Sequence, residues 1–155
     1  MRKALLLLAV LGLMSSLWAA DPIIGTWKLN IAKSKLPPDM SNIKELSFVI
    51  REIGDDYELV TTGVQKDGLK FSEKMTSPKL GGFRKYEGGD QTEGISVLEV
   101  PIDDETAYSI RLKNDKVISV TQWILSEDGR TWRAIGKAQT SEGKPYEGLQ
   151  WWEKQ

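Results

Sequence analysis

The 155-residue sequence predicts an all-β protein, a single antiparallel up-and-down β-barrel of about 8–10 strands. Three observations lead there. Short runs rich in β-branched and aromatic residues alternate with turn residues roughly every nine to fifteen positions from Glu45 to the C-terminus. Two runs, 69–75 and 106–112, alternate apolar and polar side chains cleanly, as strands with one wet face do. No amphipathic helical stretch competes. A meander of this kind must hide its edges, and closing into a barrel removes them. A two-sheet sandwich would need longer crossovers than these turns allow.

The chain opens with Met1-Arg2-Lys3, an uncharged run from Ala4 to Met14, and Ser15-Ser16-Leu17-Trp18-Ala19-Ala20. A basic start, an apolar middle and a small-residue end are the pattern of a secretory signal peptide. Residues 1–20 are therefore expected to be a signal peptide cut between Ala20 and Asp21, and 21–155 a single domain. An uncleaved anchor is the alternative, and Trp18 lends it weight because the position three before the cut is normally small. The apolar run is shorter than the about 20 residues a membrane helix needs, so no integral membrane span is expected in the mature chain.

Cysteine is absent, so there is no lipoprotein acylation site and no disulfide to staple the fold. Such a chain fits the bacterial periplasm or the exterior. Removing Arg2 and Lys3 from the 21 basic residues leaves 19 against 22 acidic ones, a net charge of −3. Basic and acidic residues alternate without a positive stripe, which argues against nucleic acid and anionic membrane surfaces as partners. A monomer is expected.

The strands read in order. The first candidate is 24–29. Residues 31–44 break the pattern with Leu36-Pro37-Pro38-Asp39, where tandem prolines lock the backbone and remove donors. This longest gap between strands is a loop with at most a short helical turn, of the kind that often carries function. Strands follow at 46–50, 57–62, 69–75, 83–86, 95–100, 106–112, 117–125, 132–140 and 146–153. Asp67-Gly68 and Asp128-Gly129 signal tight type I′ turns, which need positive φ at both central residues. Further turns are expected at Gly54-Asp55-Asp56, at 78–82, at Gly88-Gly89-Asp90, at Asn114-Asp115 and at Glu142-Gly143-Lys144-Pro145. The runs at 46–53 and 117–125 are apolar on both faces, so period alone does not choose their inner face.

Histidine is absent too, which removes Ser-His-Asp and Cys-His catalysis and nearly every zinc site. The carboxylate pairs Asp55-Asp56 and Asp103-Asp104 fall at turns, where Asp is chosen for geometry. No calcium loop of the Asp-x-Asp-x-Asp-Gly type occurs. Gly81-Gly82 and Gly88-Gly89 are turn glycines, since a phosphate cradle needs a helix behind it. No catalytic residue, metal ligand or cofactor is expected.

The aromatic residues are the informative set. Phe71 and Tyr108 lie on the apolar faces of the two cleanest strands and should point inward. Trp123 and Trp132 flank Asp128-Gly129 and should be near cross-strand neighbours. These four are the candidate ligand-binding residues, with core packing as the competing explanation, because a small barrel is either filled or holds one apolar ligand. Gly25 and Trp27 form a structural plug. Of Trp151 and Trp152, one must face inside and the other outside, exposed or covered by the 31–44 loop.

Gly25-Thr26-Trp27 opening the first strand resembles the lipocalins and their calycin relatives. The longer run Gly-Thr-Trp-Lys-Leu-Asn-x-Ala-Lys-Ser-Lys, from Gly25 to Lys35 behind a signal peptide, is similar to a group of uncharacterised bacterial lipocalin-like proteins. The stretch Ser126-Glu127-Asp128-Gly129-Arg130-Thr131, then Gly143-Lys144-Pro145, and the final Trp152-Glu153-Lys154-Gln155 agree with it. The resemblance implies a lipocalin-like, calycin-type barrel and export, and no activity. It also implies a cation from a late strand over Trp27, either Arg133 or Lys154. The chain departs from lipocalins in lacking a clear Thr-Asp-Tyr turn and a C-terminal disulfide. About ten strands also lean toward the flattened barrels of the fatty-acid-binding relatives.

Two functions compete on this reading. One is an exported barrel binding a small hydrophobic or amphipathic ligand, with the Pro37-Pro38 loop near its mouth. The other is an envelope or secreted interaction protein with a filled barrel and no ligand. An enzyme stands well behind both.

Overall fold

The computed structural model describes residues 21–87, 94–139 and 144–155. The expected signal peptide, the turn at Gly88-Gly89-Asp90 and the Glu142-Gly143 part of the last turn lie outside these residues. Among them run eleven strands: β1 (Gly25–Leu29), β2 (Ile43–Ile53), β3 (Asp56–Gln65), β4 (Lys70–Pro78), β5 (Gly82–Phe83), β6 (Lys85–Glu87), β7 (Ile95–Pro101), β8 (Thr106–Lys113), β9 (Lys116–Leu125), β10 (Thr131–Gln139) and β11 (Pro145–Lys154). All form one antiparallel sheet in the order β5-β7-β8-β9-β10-β11-β1-β2-β3-β4-β6. The sheet curls into a nearly closed barrel, with β1 joining the C-terminal β11 to β2.

The segment expected as one strand at 83–86 is two. Gly82-Phe83 pairs with Glu99-Leu98 on one edge of the sheet, while Lys85 to Glu87 pair with Thr76 to Lys74 on the other. Arg84 lies between them, and its N–H donates to the Val97 carbonyl at 2.9 Å. These six residues therefore span the barrel seam, and splitting one expected strand accounts for the larger count.

Turn chemistry differs from expectation in one respect. Positive φ at two successive residues occurs at Asn114 (49°) and Asp115 (62°), the two-residue loop between Lys113 and Lys116. At Asp67-Gly68 and Asp128-Gly129 the glycine alone has positive φ. There the aspartates act through their side chains, accepting the N–H two residues on from Leu69 (3.0 Å) and Arg130 (3.0 Å). Asp103 caps its turn similarly, accepting from Glu105 at 2.9 Å and Thr106 at 2.6 Å.

Trp27, Leu29, Leu46, Phe48, Ile50, Leu125 and Trp152 form a buried apolar cluster, and Met75, Val97 and Ala134 are buried outside it. Leu46, Phe48 and Ile50 establish the inner face of β2. Trp27 is fully buried, its ring 6.3 Å from Phe48 and 5.5 Å from Trp132, and its Nε1–H donates to the Ile23 carbonyl at 2.9 Å. Of the two candidate cations, Lys154 lies over Trp27, 5.5 Å from the ring centre. Gly25 makes room for it: its φ is +136°, and a Cβ there would meet the Lys154 stem at 2.9 Å. Arg133 instead lies 6.0 Å from the ring centre of the outward Trp151, and Lys33 lies 5.4 Å from the same ring.

The 31–44 loop turns twice through 3-10 geometry, at Ile31–Lys33 and Pro38–Met40. Its first part covers the edge that β1 leaves open on β11. Asn30 and Lys35 donate to the carbonyls of Trp151 and Leu149, both at 2.7 Å, and Leu149 donates back to Lys35 at 3.0 Å.

Candidate ligand site inside the barrel

Side chains alternate across each strand, so the pleat decides what lines the interior. On β8, β9 and β10 the inward residues include Ala107, Ser109, Thr121, Ala134, Gly136 and Ala138. Gly148 of β11 belongs to the same lining. Large side chains fill the barrel beside β1 and β2, and small ones leave it hollow beside β8 to β10. The space left is a cavity of about 740 Å³, within the roughly 300–1,000 Å³ range of small-molecule sites. Pro37, Pro38 and Met40 line it, which places the proline loop at this cavity. A second cavity of about 410 Å³ is lined by Asp21 to Ile23, Pro78, Lys79, Pro101 and Asp103 to Ala107, among others.

Five residues line both cavities: Leu59, Arg84, Glu99, Ala107 and Trp132. At this divide lies an internal polar network. Arg84 Nε is 2.5 Å from Glu99 Oε1, and the two side chains are 16% and 12% exposed. The Ser109 hydroxyl donates to the Glu99 carboxylate, 2.8 and 2.9 Å from its two oxygens, and accepts Trp123 Nε1–H at 2.8 Å. The Arg84 fork is less well served. Nη1 meets Met75 Sδ at 3.2 Å, Nη2 is 3.5 Å from Ser109 Oγ, and Nε approaches Glu99 without in-line hydrogen-bond geometry.

Of the four candidate residues, Phe71, Trp123 and Trp132 line the larger cavity. The Trp123 and Trp132 ring centres are 4.9 Å apart, with Trp123 paired to Ala134 and Trp132 to Leu125. Tyr108 lies on the opposite face from the inward Ala107 and Ser109, so its expected inward direction is corrected. The reason is that β8 turns its polar face in, toward the Arg84–Glu99 pair. Its apolar face, with Tyr108, Ile110 and Leu112, faces out. Phe83, Leu98, Ile110 and Val120 then form one row in register across four outer strand faces. Trp27 faces the core cluster and lines neither cavity.

Arg84, Glu99 and Ser109 were not singled out from the sequence. A signal existed for Glu99, which interrupts the apolar run Ile95-Ser96-Val97-Leu98-Glu99-Val100 on the same face as buried Val97. Arg84 had none, because its inward direction depends on the strand switch at the seam.

At the smaller cavity, the Tyr57 hydroxyl donates to the Asp21 carboxylate. Burial first, then that hydrogen bond, pushes the phenol well above its usual range. Among the described residues, no group of three or more His, Cys, Asp or Glu is placed to hold a metal ion.

No family model matches the chain, and no curated protein matches it. Solved structures similar to it include the siderocalin Ex-FABP, described as functioning through dual ligand specificities. It is 11% identical, with 86% of this chain and 71% of that one covered and a TM-score of 0.41. Another is the redesigned β-barrel mFAP1 bound to DFHBI, 13% identical, with 88% and 98% covered and a TM-score of 0.42. Both are lipocalin- or fatty-acid-binding-like barrels.

Proposed function

We propose that this protein is an exported barrel of the bacterial lipocalin-like kind that binds one small hydrophobic or amphipathic molecule, as a monomer and without catalysing a reaction. The observation that carries the binding reading is the cavity of about 740 Å³, walled by Phe71, Trp123 and Trp132 and holding a polar network at its inner end. An apolar space with a few convergent polar groups is the usual form of such a site. Export to the periplasm or the exterior rests on the signal pattern of residues 1–20. The filled-barrel alternative has the open cavity against it. On its side stands the outer row ending in Phe83, which is 54% exposed.

Native mass spectrometry on protein purified from its host's envelope fraction, with organic extraction, tests the reading. A discrete copurifying mass, lost in a cavity-filling Ala138→Trp variant, is the expected result. A clean apoprotein that also fails to take up the neutral dye N-phenyl-1-naphthylamine would overturn it. Sequencing the secreted chain's N-terminus tests export, with Asp21 expected first.

A further inference from the structure

Resting on the binding reading, we infer that the cavity selects ligands whose polar end is uncharged, such as an amide, an alcohol or an ester carbonyl on an apolar body. Free carboxylates and ammonium groups are disfavoured. The polar end docks on the Arg84 guanidinium where the two cavities meet.

The argument starts from donors. Guanidinium carries five N–H groups and no acceptor. Here they meet a thioether sulfur, a hydroxyl at 3.5 Å and a carboxylate oxygen out of line. The neighbouring donors are already used, Ser109 on Glu99 and Trp123 on Ser109. Where the two cavities meet, Arg84 is thus the group with hydrogen-bonding capacity left for an incoming oxygen.

Charge then decides which oxygen. Glu99 already neutralises Arg84. The charged side chains lining the larger cavity are Glu73, Arg84, Glu99 and Arg111, two of each sign. Around the smaller cavity, carboxylates outnumber the cations Lys79 and Arg84. A ligand carboxylate reaching Arg84 would sit beside Glu99 in a poorly solvated place, leaving one negative charge uncompensated. Burying an unpaired charge is costly, whereas an uncharged oxygen keeps the sum at zero. An ammonium group would meet the guanidinium itself.

The test is a set of three twelve-carbon probes at pH 7.5: dodecanamide, dodecanoate and dodecylammonium. Binding is read by quenching or shift of tryptophan emission and by calorimetry. The amide is expected to bind at least tenfold more tightly than either ion. Glu99→Gln, which leaves Arg84 without its counter-charge, should raise dodecanoate affinity at least tenfold and reverse the order. If that variant does not fold, the three-probe ranking on the native protein decides alone. Equal binding of all three within threefold, or dodecanoate in first place, would overturn the inference and leave a ligand-binding barrel standing. No binding by any probe would overturn both.

Discussion

Replacing Trp27 by alanine tests whether the end of the barrel is held by a plug. The indole is fully buried, contacts Phe48 and Trp132, donates to the Ile23 carbonyl and lies under Lys154. Tryptophan buries roughly 150 Å² more than alanine, which at about 25 cal/mol per Å² is worth about 4 kcal/mol. That agrees with the about 3–5 kcal/mol range for aromatic-to-alanine changes in cores. Phenylalanine keeps most of the ring. It strands the Ile23 carbonyl and weakens the cation–π contact, for a loss of about 1–2 kcal/mol. With a urea slope of about 2 kcal/mol per M, the midpoint should fall by about 2 M in Trp27→Ala and by about 0.5–1 M in Trp27→Phe. Equilibrium urea unfolding followed by far-UV circular dichroism reads both. A fall below about 0.5 M in Trp27→Ala would refute the plug. Equal falls in the two variants would show that the indole N–H, and not ring volume, is what matters.

Three further outcomes are expected. In Gly63→Ala the new methyl would overlap the Phe71 ring, which lies over this glycine from the facing strand; a loss of about 1–3 kcal/mol in urea unfolding, with weaker dye uptake as the ring moves toward the cavity, is the result to look for. Tyr57 holds its proton more tightly folded than unfolded, so its contribution to stability is complete below the unfolded phenol's value, about 10, and fades as pH rises beyond it. Absorbance at 295 nm should show a late-ionising tyrosine that Tyr57→Phe abolishes, and identical curves would contradict the Asp21 contact. Glu153 moves the opposite way, held below its usual range by hydrogen bonds from Lys33 and then Asn30. Its contribution is present above the unfolded carboxyl's value, about 4.3, and is lost as pH falls through the lower folded one. Glu153→Gln should therefore lower the urea midpoint at pH 7 and leave it unchanged near pH 2, and a deficit that persists in acid would exclude the ion pair as its cause.

Local pattern made the meander legible, because turn residues and strand runs are written within a few residues of each other. It also made Trp152 and Trp151 legible as an inside-outside pair. The face of β8 was not. Thr106 to Leu112 alternates so cleanly that its apolar side invites an inward reading, yet the sheet places Ser109 inside and Tyr108 outside. Period gives two faces, and only the neighbouring strands say which one is the interior. Lys154 and Arg133 are a similar case. Both are late-strand cations, and the choice between them rests on register: Lys154 is the partner of Trp27, whereas Arg133 pairs with Trp151.

The Arg84–Glu99 pair is poorly explained as a device for stability. Well-packed apolar residues in place of a buried ion pair are commonly neutral or stabilising, so polarity at this depth needs another reason. Fold closure alone does not supply one, since the backbone of Arg84 makes the seam contact to Val97 whatever side chain it carries. What the side chain adds is a fork of donors at the one place where both cavities meet, held by Glu99 and, through Ser109, by Trp123. Such a group is expensive in an empty barrel and useful in an occupied one, because a ligand oxygen fills donors that the protein leaves open. The same six residues that bridge the seam thus carry the group on which the proposed recognition of a ligand oxygen rests.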